Sequence, residues 1–400
     1  MTDLISVAEA EALIARHTPS LGVETVTLEA AIGRILRSPV FAERDHPAFD
    51  RVMMDGIGVR WSEALPEYFT LAGSQMAGMA RASLPGAETC LEVTTGAIVP
   101  EGCDCIIPVE QTRRDGELYG LMEGYRPARG QFIHGQGSDC RSGTQVLDAG
   151  VRLGPPEVAQ LAANGAARVQ VAARPSIAIL ATGDELVGVD APLGEGQIRR
   201  SNDIAIAAAL RGHGLDRVAL SHVVDDLAAT ADRLAALLAE HEVVIISGGV
   251  SVGQRDYVPE ALSRLGVRRV FHRIAQRPGK PMWFGVGPDG QLVFALPGNP
   301  VSSLVCAVRY VRPALLSAMG LKPDPPDYVC LGSDVQTSPT LTCFVPVQVR
   351  QDETGRSMAH PTVSPTSGDF SSLVHAHGVV QLSAGESQVL AGAVAPLYRW

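Results

Sequence analysis

Seven consecutive residues, Ser247-Gly248-Gly249-Val250-Ser251-Val252-Gly253, set three glycines and two hydroxyls directly behind an apolar run at 243–246. Glycine lets backbone N–H groups turn inward and approach an oxyanion closely, and serine adds donors, so the pattern fits an anion cradle at a strand tip. Three other apolar runs end in polar or rigid residues. Thr182-Gly183-Asp184-Glu185-Leu186 follows 177–181, Asp225-Asp226 follows 218–224, and Pro297-Gly298-Asn299-Pro300 follows 292–296. Open α/β sheets bind ligands outside the carboxyl ends of their strands, which puts these segments along one edge. Asp184, Glu185, Asp225 and Asp256 would crowd like charges at that rim, an arrangement that calls for a proton or a cation. A Mg2+ ion held by one or two carboxylates plus ligand phosphates answers it, with Glu185, Asp225 and Asp256 as candidate metal ligands. Two of the acids also have plainer roles available: Asp226 suits a helix N-cap, and Asp184 a bond within its own loop.

A second feature is a local excess of positive charge. The chain carries a formal net charge of −10, yet residues 261–288 contain no acid and hold Arg264, Arg268, Arg269, Arg273, Arg277 and Lys280. In an acidic protein such a run reads either as a solvated face or as a site for a small anion. The overall acidity argues against nucleic-acid binding. No G-x-x-x-x-G-K-[ST] segment and no G-x-G-x-x-G after a strand occurs, so neither a P-loop nor a dinucleotide fingerprint is expected.

The elements that must position these residues emerge from periodicity. From 174 to about 320, apolar strands alternate with helical patterns, the rhythm of a doubly wound, mostly parallel sheet. Its expected strands are 177–181, 218–224, 243–247, 270–275, 282–286 and 292–296; helices are expected at 203–211 (capped by Asn202), 227–240 and from 301 onward. The N-terminus reads as helical: Ser6 with Glu9 forms a capping box, and Leu28, Ala31, Ile32 and Ile35 recur at helical spacing. Residues 143–164 return to a helical pattern, with Pro155-Pro156 at the start. Between them, short β runs broken by Gly and Pro mark a small β domain, and further β runs come after the prolines at 323–326. The expected organisation is a helical domain I (1–45 and 140–174), a mostly β domain II (46–139), a central α/β domain III (175–322) and a C-terminal β domain IV (323–400).

Four hundred residues exceed one hydrophobic core, and the 46% hydrophobic, 19% charged composition is that of a globular protein. No apolar run approaches a membrane span, and Met1-Thr2-Asp3-Leu4 has no leader character, so a cytoplasmic location is expected. The seven cysteines lack C-x-x-C spacing; reduced, buried thiols are expected, and Cys103 and Cys105 would share one face of a strand.

Phe49-Asp50-Arg51-Val52-Met53-Met54-Asp55-Gly56, Thr182-Gly183-Asp184-Glu185-Leu186 and the 247–253 loop with Asp256-Tyr257, in this order, resemble the molybdopterin molybdenumtransferase family, which includes MoeA and the gephyrin E domain. Pro278-Gly279-Lys280-Pro281 and Leu296-Pro297-Gly298-Asn299-Pro300 extend the resemblance over nearly the whole chain. It implies a four-domain homodimer that places molybdate on adenylylated molybdopterin and hydrolyses the phosphoanhydride to AMP with Mg2+ present. It implies that Asp55 and Thr95 enter the site from the partner subunit and that Glu185, Asp225 and Asp256 form the acidic rim. Thr182, Ser247, Gly248, Gly249, Ser251, Gly253, Arg273, Arg277 and Lys280 would bind anionic substrate, with Pro297 and Pro300 beside the pterin. Asp139 matches a further acidic position, Ile57 stands where the family has an aromatic residue, and His134 stands in a stretch usually rich in Arg. Two other readings compete: a molybdopterin adenylyltransferase-like enzyme, which would account for 174–320 alone, and a non-catalytic binding scaffold.

Overall fold

Ile177–Thr182, Val243–Ser247 and Leu292–Leu296 are buried along their whole length. A strand apolar on both faces must be covered on both, which selects a layered α/β arrangement. The computed structural model describes residues 4–250, 256–323, 325–362, 368 and 370–400. It divides into two units: Met1–Arg37, Ala149–Gly154 and Val169–Trp400 in one, Ser38–Asp148 and Pro155–Arg168 in the other.

The first unit is organised around a six-stranded sheet. Its elements in chain order are β1 (Ile177–Thr182), α1 (Asn202–Arg211), β2 (Val218–Val223), α2 (Leu227–Glu240), β3 (Val243–Ser247), α3 (Val258–Arg264), β4 (Arg268–His272), β5 (Trp283–Val286), β6 (Leu292–Leu296) and α4 (Pro300–Cys306). The spatial order is β2-β1-β3-β6-β5-β4. β2, β1, β3 and β6 run parallel, with Ile177 opposite Val218 on one side and Val243 on the other. β5 and β4 are antiparallel. Alternation along β1 divides the core: Ile177 and Ile179 pack with Ile206 and Leu210 of α1, while Ala178 and Leu180 pack with Leu234 of α2 and Leu262 of α3. Because β2 lies on one side of β1 and β3 on the other, the connections diverge between β1 and β3. A crevice at their carboxyl ends is the geometric consequence.

α4 runs without a break to Ala318, through a π turn at Ala307–Val311 followed by Pro313. Proline lacks the N–H that would continue the regular ladder, which accounts for the wide turn before it. The stretch Pro300–Ala318 is, by length and hydropathy, apolar enough to cross a bilayer, contrary to the expectation that no such run exists; it is 72% buried inside the protein, as a core helix is. In the C-terminal segment, Thr342–Gln351 pairs with both Ser357–Pro361 and Gly378–Leu382, and five strands of a six-stranded sheet close on themselves around Val329, Val347 and Leu397.

The Ser6–Glu9 capping box starts the helix Val7–His17. The helical spacing at 28–35 gives only a single 3-10 turn, Glu29–Ala31, because Leu36 leaves it to bridge Val171 in extended form. The second unit holds another six-stranded sheet, with Gly56–Val59 between Cys105–Pro108 and Thr89–Val93, and the helix Pro155–Ala163. Cys103 precedes its strand and packs with Val52 and Val93, whereas Cys105 packs with Ile57 and Phe69, so the two do not share a face. All seven cysteines are free thiols. Burial pushes Cys90, Cys103 and Cys306 up to about 12, which keeps them protonated and inert.

Candidate active site

The crevice at the carboxyl ends of β1 and β3 has a volume of about 640 Å3, the size of a small-molecule site. Thr182 at the end of β1 and Glu185 beyond it, Asp225 after β2, Ser247 at the end of β3 with Gly248 and Gly249 beyond it, Asp256 before α3, and Pro297 and Pro300 after β6 all line it. Ser251 and Gly253 lie outside the described residues. Thr182 and Pro300, far apart in the chain, thus line one crevice because their strands end together.

The glycine-rich turn is held where only glycine fits. Gly248 has φ +103°, and a Cβ there would lie 2.7 Å from Thr182 Oγ1 and 3.0 Å from the Thr182 carbonyl oxygen. At Gly249, with φ +68°, a Cβ would meet the Val258 side chain at 2.6 Å. The turn therefore presses against the end of β1. Asn202, expected as an N-cap, is instead the first residue of α1, and Ser201 takes the cap position without a side-chain bond. The Asn202 amide donates to Ser247 Oγ at 3.0 Å and to the Gly298 carbonyl at 2.7 Å, tying three elements together. Ser247 Oγ also meets Ser303 Oγ at 3.2 Å, so this hydroxyl is bound within the wall.

The acids have distinct surroundings. Asp226 is the N-cap of α2 and accepts from Ala229 N, as its position suggested. Asp184 Oδ1 accepts from the backbone N–H of Asp225, a bond to the neighbouring loop. Glu185, Asp225 and Asp256 face the crevice together with Asp203, which sequence reasoning missed. Against these four carboxylates the crevice wall sets two guanidiniums, Arg199 and Arg200, also missed. Arg199 ends a two-residue strand and Arg200 follows it on the approach to α1, too short a stretch for periodicity to mark either.

The basic run is placed elsewhere. Arg273, Arg277 and Lys280 are not among the lining residues; only Pro281 of that segment is. Gln276–Arg277 pairs with the C-terminal sheet, and Arg277 donates from Nε to Cys343 Sγ at 3.0 Å and from Nη2 to the Gln336 carbonyl at 3.2 Å. Arg273 sits at φ +78°, its backbone bonded to Met282 and Ile5. Lys280 is exposed.

In the second unit, Asp55 and Thr95 form a pair of their own. Asp55 Oδ1 accepts from Thr95 N at 2.6 Å and from Thr95 Oγ1 at 2.8 Å. The backbone bond first and the hydroxyl second hold the Asp55 carboxyl below the usual carboxylate range. His134 bonds Asp139 Oδ1 through Nε2 at 2.7 Å and Arg51 through Nδ1 at 3.1 Å. Arg51 therefore brings a cation to His134.

Among the described residues, no group of three or more His, Cys, Asp or Glu is arranged to hold a metal by itself. The donor set at the crevice, carboxylates with no nitrogen or sulfur, suits a hard cation. Mg2+ is bound by one or two carboxylates with substrate phosphates and does not require a preformed protein cage.

Fold and site define a class: a doubly wound α/β core whose switch-point crevice carries a glycine-rich turn and an acidic rim, set among additional β-rich segments. Family models match along the chain: the MoeA N-terminal region (domain I and II) at residues 5–165, a probable molybdopterin binding domain at 178–317, and the MoeA C-terminal region (domain IV) at 328–400. A molybdopterin molybdenumtransferase from Synechocystis is 36% identical over 99% of this chain and 100% of its own. One from Nostoc is 34% identical over 80% of this chain and 76% of its own. The crystal structure of a molybdopterin biosynthesis MoeA protein from Pyrococcus horikoshii superposes with a TM-score of 0.83 at 26% identity, covering 99% of this chain and 100% of that one. The chain belongs to the molybdopterin molybdenumtransferase (MoeA) family.

Proposed function

We propose that this protein inserts molybdate into adenylylated molybdopterin and hydrolyses the phosphoanhydride, releasing AMP, a late step in making the molybdenum cofactor. The observation that carries the reading is the convergence of Glu185, Asp225 and Asp256 with the Gly248–Gly249 turn in one crevice of a chain that matches the family from end to end. The turn offers backbone donors to the phosphates, and the rigid Pro297 and Pro300 backbone forms a wall for the flat pterin. Glu185, Asp225 and Asp256 would hold Mg2+, which supplies charge neutralisation for the phosphoanhydride when bound. The same carboxylates orient the attacking water toward phosphorus, and molybdate is the cargo. The protein works as a homodimer in this reading, with Asp55 and Thr95 contributed by the partner subunit. Thr95 keeps the Asp55 carboxylate ionised and fixed for that role.

An adenylyltransferase would use a similar crevice, but it leaves the matched regions at 5–165 and 328–400 without a part. Incubation of the purified protein with adenylylated molybdopterin, molybdate and Mg2+ separates the readings. AMP release that depends on molybdate is expected; binding without AMP release would leave a scaffold.

A further inference from the structure

Three polar atoms of the crevice wall are buried and make no hydrogen bond with the described residues: Thr182 Oγ1, Arg200 Nε and Asp203 Oδ2. Burying such groups unsatisfied is costly; the carboxylate oxygen of Asp203 is answered only by the charge of Arg200, while Thr182 Oγ1 and Arg200 Nε are donors at one cavity wall that lack an acceptor. Asp203 is fully buried in the first turn of α1, where its Oδ1 accepts from Ile204 N. Arg200 Nε lies 3.8 Å from Asp203 Oδ2, near enough for charge pairing and too far for a hydrogen bond, and 23% of the Arg200 side chain is exposed. Its neighbour Arg199 is committed elsewhere, donating to the carbonyls of Val189 and Ala191. The Arg200 backbone is anchored by its N–H to Val187 O.

We propose that Arg200 is the oxyanion-binding cation of the crevice and that buried Asp203 is its positioning residue. Asp203 holds the guanidinium at the wall without saturating it. A tetrahedral oxyanion then takes the donors that Asp203 leaves unused, with Thr182 Oγ1 as a further donor. A planar guanidinium matches an oxyanion through two parallel hydrogen bonds, which an ammonium does not reproduce. The chemistry is shared by the nucleotide phosphate and by molybdate. The assignment rests on the proposed molybdate insertion, and it moves the crevice's anion contact from the Arg273–Arg277 run to a residue that belongs to none of the family motifs.

Titration calorimetry with the full chain, using AMP and sodium molybdate as separate probes, tests it. Arg200→Gln is expected to weaken one probe on the order of 10- to 100-fold, the loss of a charge-assisted hydrogen bond, and the probe affected identifies which oxyanion sits there. Arg200→Lys should recover part of the loss. Asp203→Asn should act in the opposite direction, tightening the same probe, because a like charge beside the anion is removed while the shape is kept. A pair that merely shapes the wall would lose affinity in both variants, and that result, or unchanged binding of both probes by Arg200→Gln and Arg200→Lys, overturns the assignment. If the unaltered protein binds neither probe, the proposed function itself fails and takes this inference with it.

Discussion

The Asn202 side chain donates to Ser247 Oγ across 3.0 Å, joining the first residue of α1 to the last residue of β3. With its second bond, to Gly298 O, it fastens the loops after β3 and β6 to the start of one helix. Asn202→Ala removes both bonds and is expected to lower stability by about 1–3 kcal/mol, since the acceptors left behind are partly shielded from water. Chemical denaturation measures the cost, and AMP affinity should fall with it. Undiminished stability and affinity would show that the loops hold their places without Asn202.

Gly248→Ala should be more damaging than its one added methyl suggests. The residue sits at φ +103° and the new Cβ would overlap both oxygens of Thr182, one of them backbone. The conformational strain alone is about 1–2 kcal/mol, and the overlap forces the turn off β1. Gly196→Ala is the control, with φ +79° and open space around the added Cβ. Crevice ligand affinity should fall at least tenfold in Gly248→Ala and little in Gly196→Ala, a factor that corresponds to ~1.4 kcal/mol. Equal effects would mean that strain, and not the packing on Thr182, governs the turn.

These contacts also explain how far the site could be read beforehand. The all-apolar runs at 177–181, 243–246 and 292–296 declared buried strands, and the glycine, proline and acidic residues just past each strand end declared the crevice. Glu185, Asp225 and Asp256 were legible because strand tips converge by topology. Arg200 was not, since 188–201 has little regular structure and carries no period, and Asp203 was not, since a lone acid in the first turn of a helix reads as a partner of the helix N-terminus. Arg277 looked like a site cation because its charge was visible, while its pairing with the C-terminal sheet, which turns it to Cys343, is a long-range event. The Leu28–Ile35 spacing failed for a similar reason: a β-bridge from Leu36 to Val171 overrides a short local preference for helix.

His213 links stability to pH. Its Nε2 meets Arg312 Nη1 at 2.9 Å, so the ring nitrogen accepts and must be unprotonated. Burial first, then the charges of Arg312 and Arg152, hold its pKa below the ordinary 6.5. Between the folded value and 6.5 the unfolded chain binds more protons than the folded one, so stability is full above 6.5 and declines as pH falls through that window. Denaturation midpoints should drop from pH 7.5 to 5.5, and His213→Gln should flatten the slope, although Gln also alters the Arg312 contact at neutral pH. A slope unchanged in the variant would remove His213 as its source.

The Thr95 hydroxyl can be separated from its backbone bond to Asp55. Thr95→Val keeps the N–H donor and loses the Oγ1 donor at 2.8 Å. The Asp55 carboxyl should then titrate at higher pH than in the parent protein, while remaining under the influence of the larger backbone contribution. Stability linked to this depressed value is present above the ordinary 3.8 and is lost as pH falls through the folded midpoint. Carboxyl NMR titration of the two proteins gives the comparison; identical midpoints would assign the whole effect to the backbone bond.

In the proposed reaction, the carboxylates gathered at the strand tips perform the hydrolysis that molybdate insertion requires. Molybdate-dependent AMP release from adenylylated molybdopterin, measured in the parent protein and in Asp225→Ala and Asp256→Ala, tests it most directly. The parent should release AMP, and each variant should fall on the order of 100-fold or more, the scale expected when a charged group stabilising the reacting centre is removed. AMP release at the parent rate in both variants would contradict it.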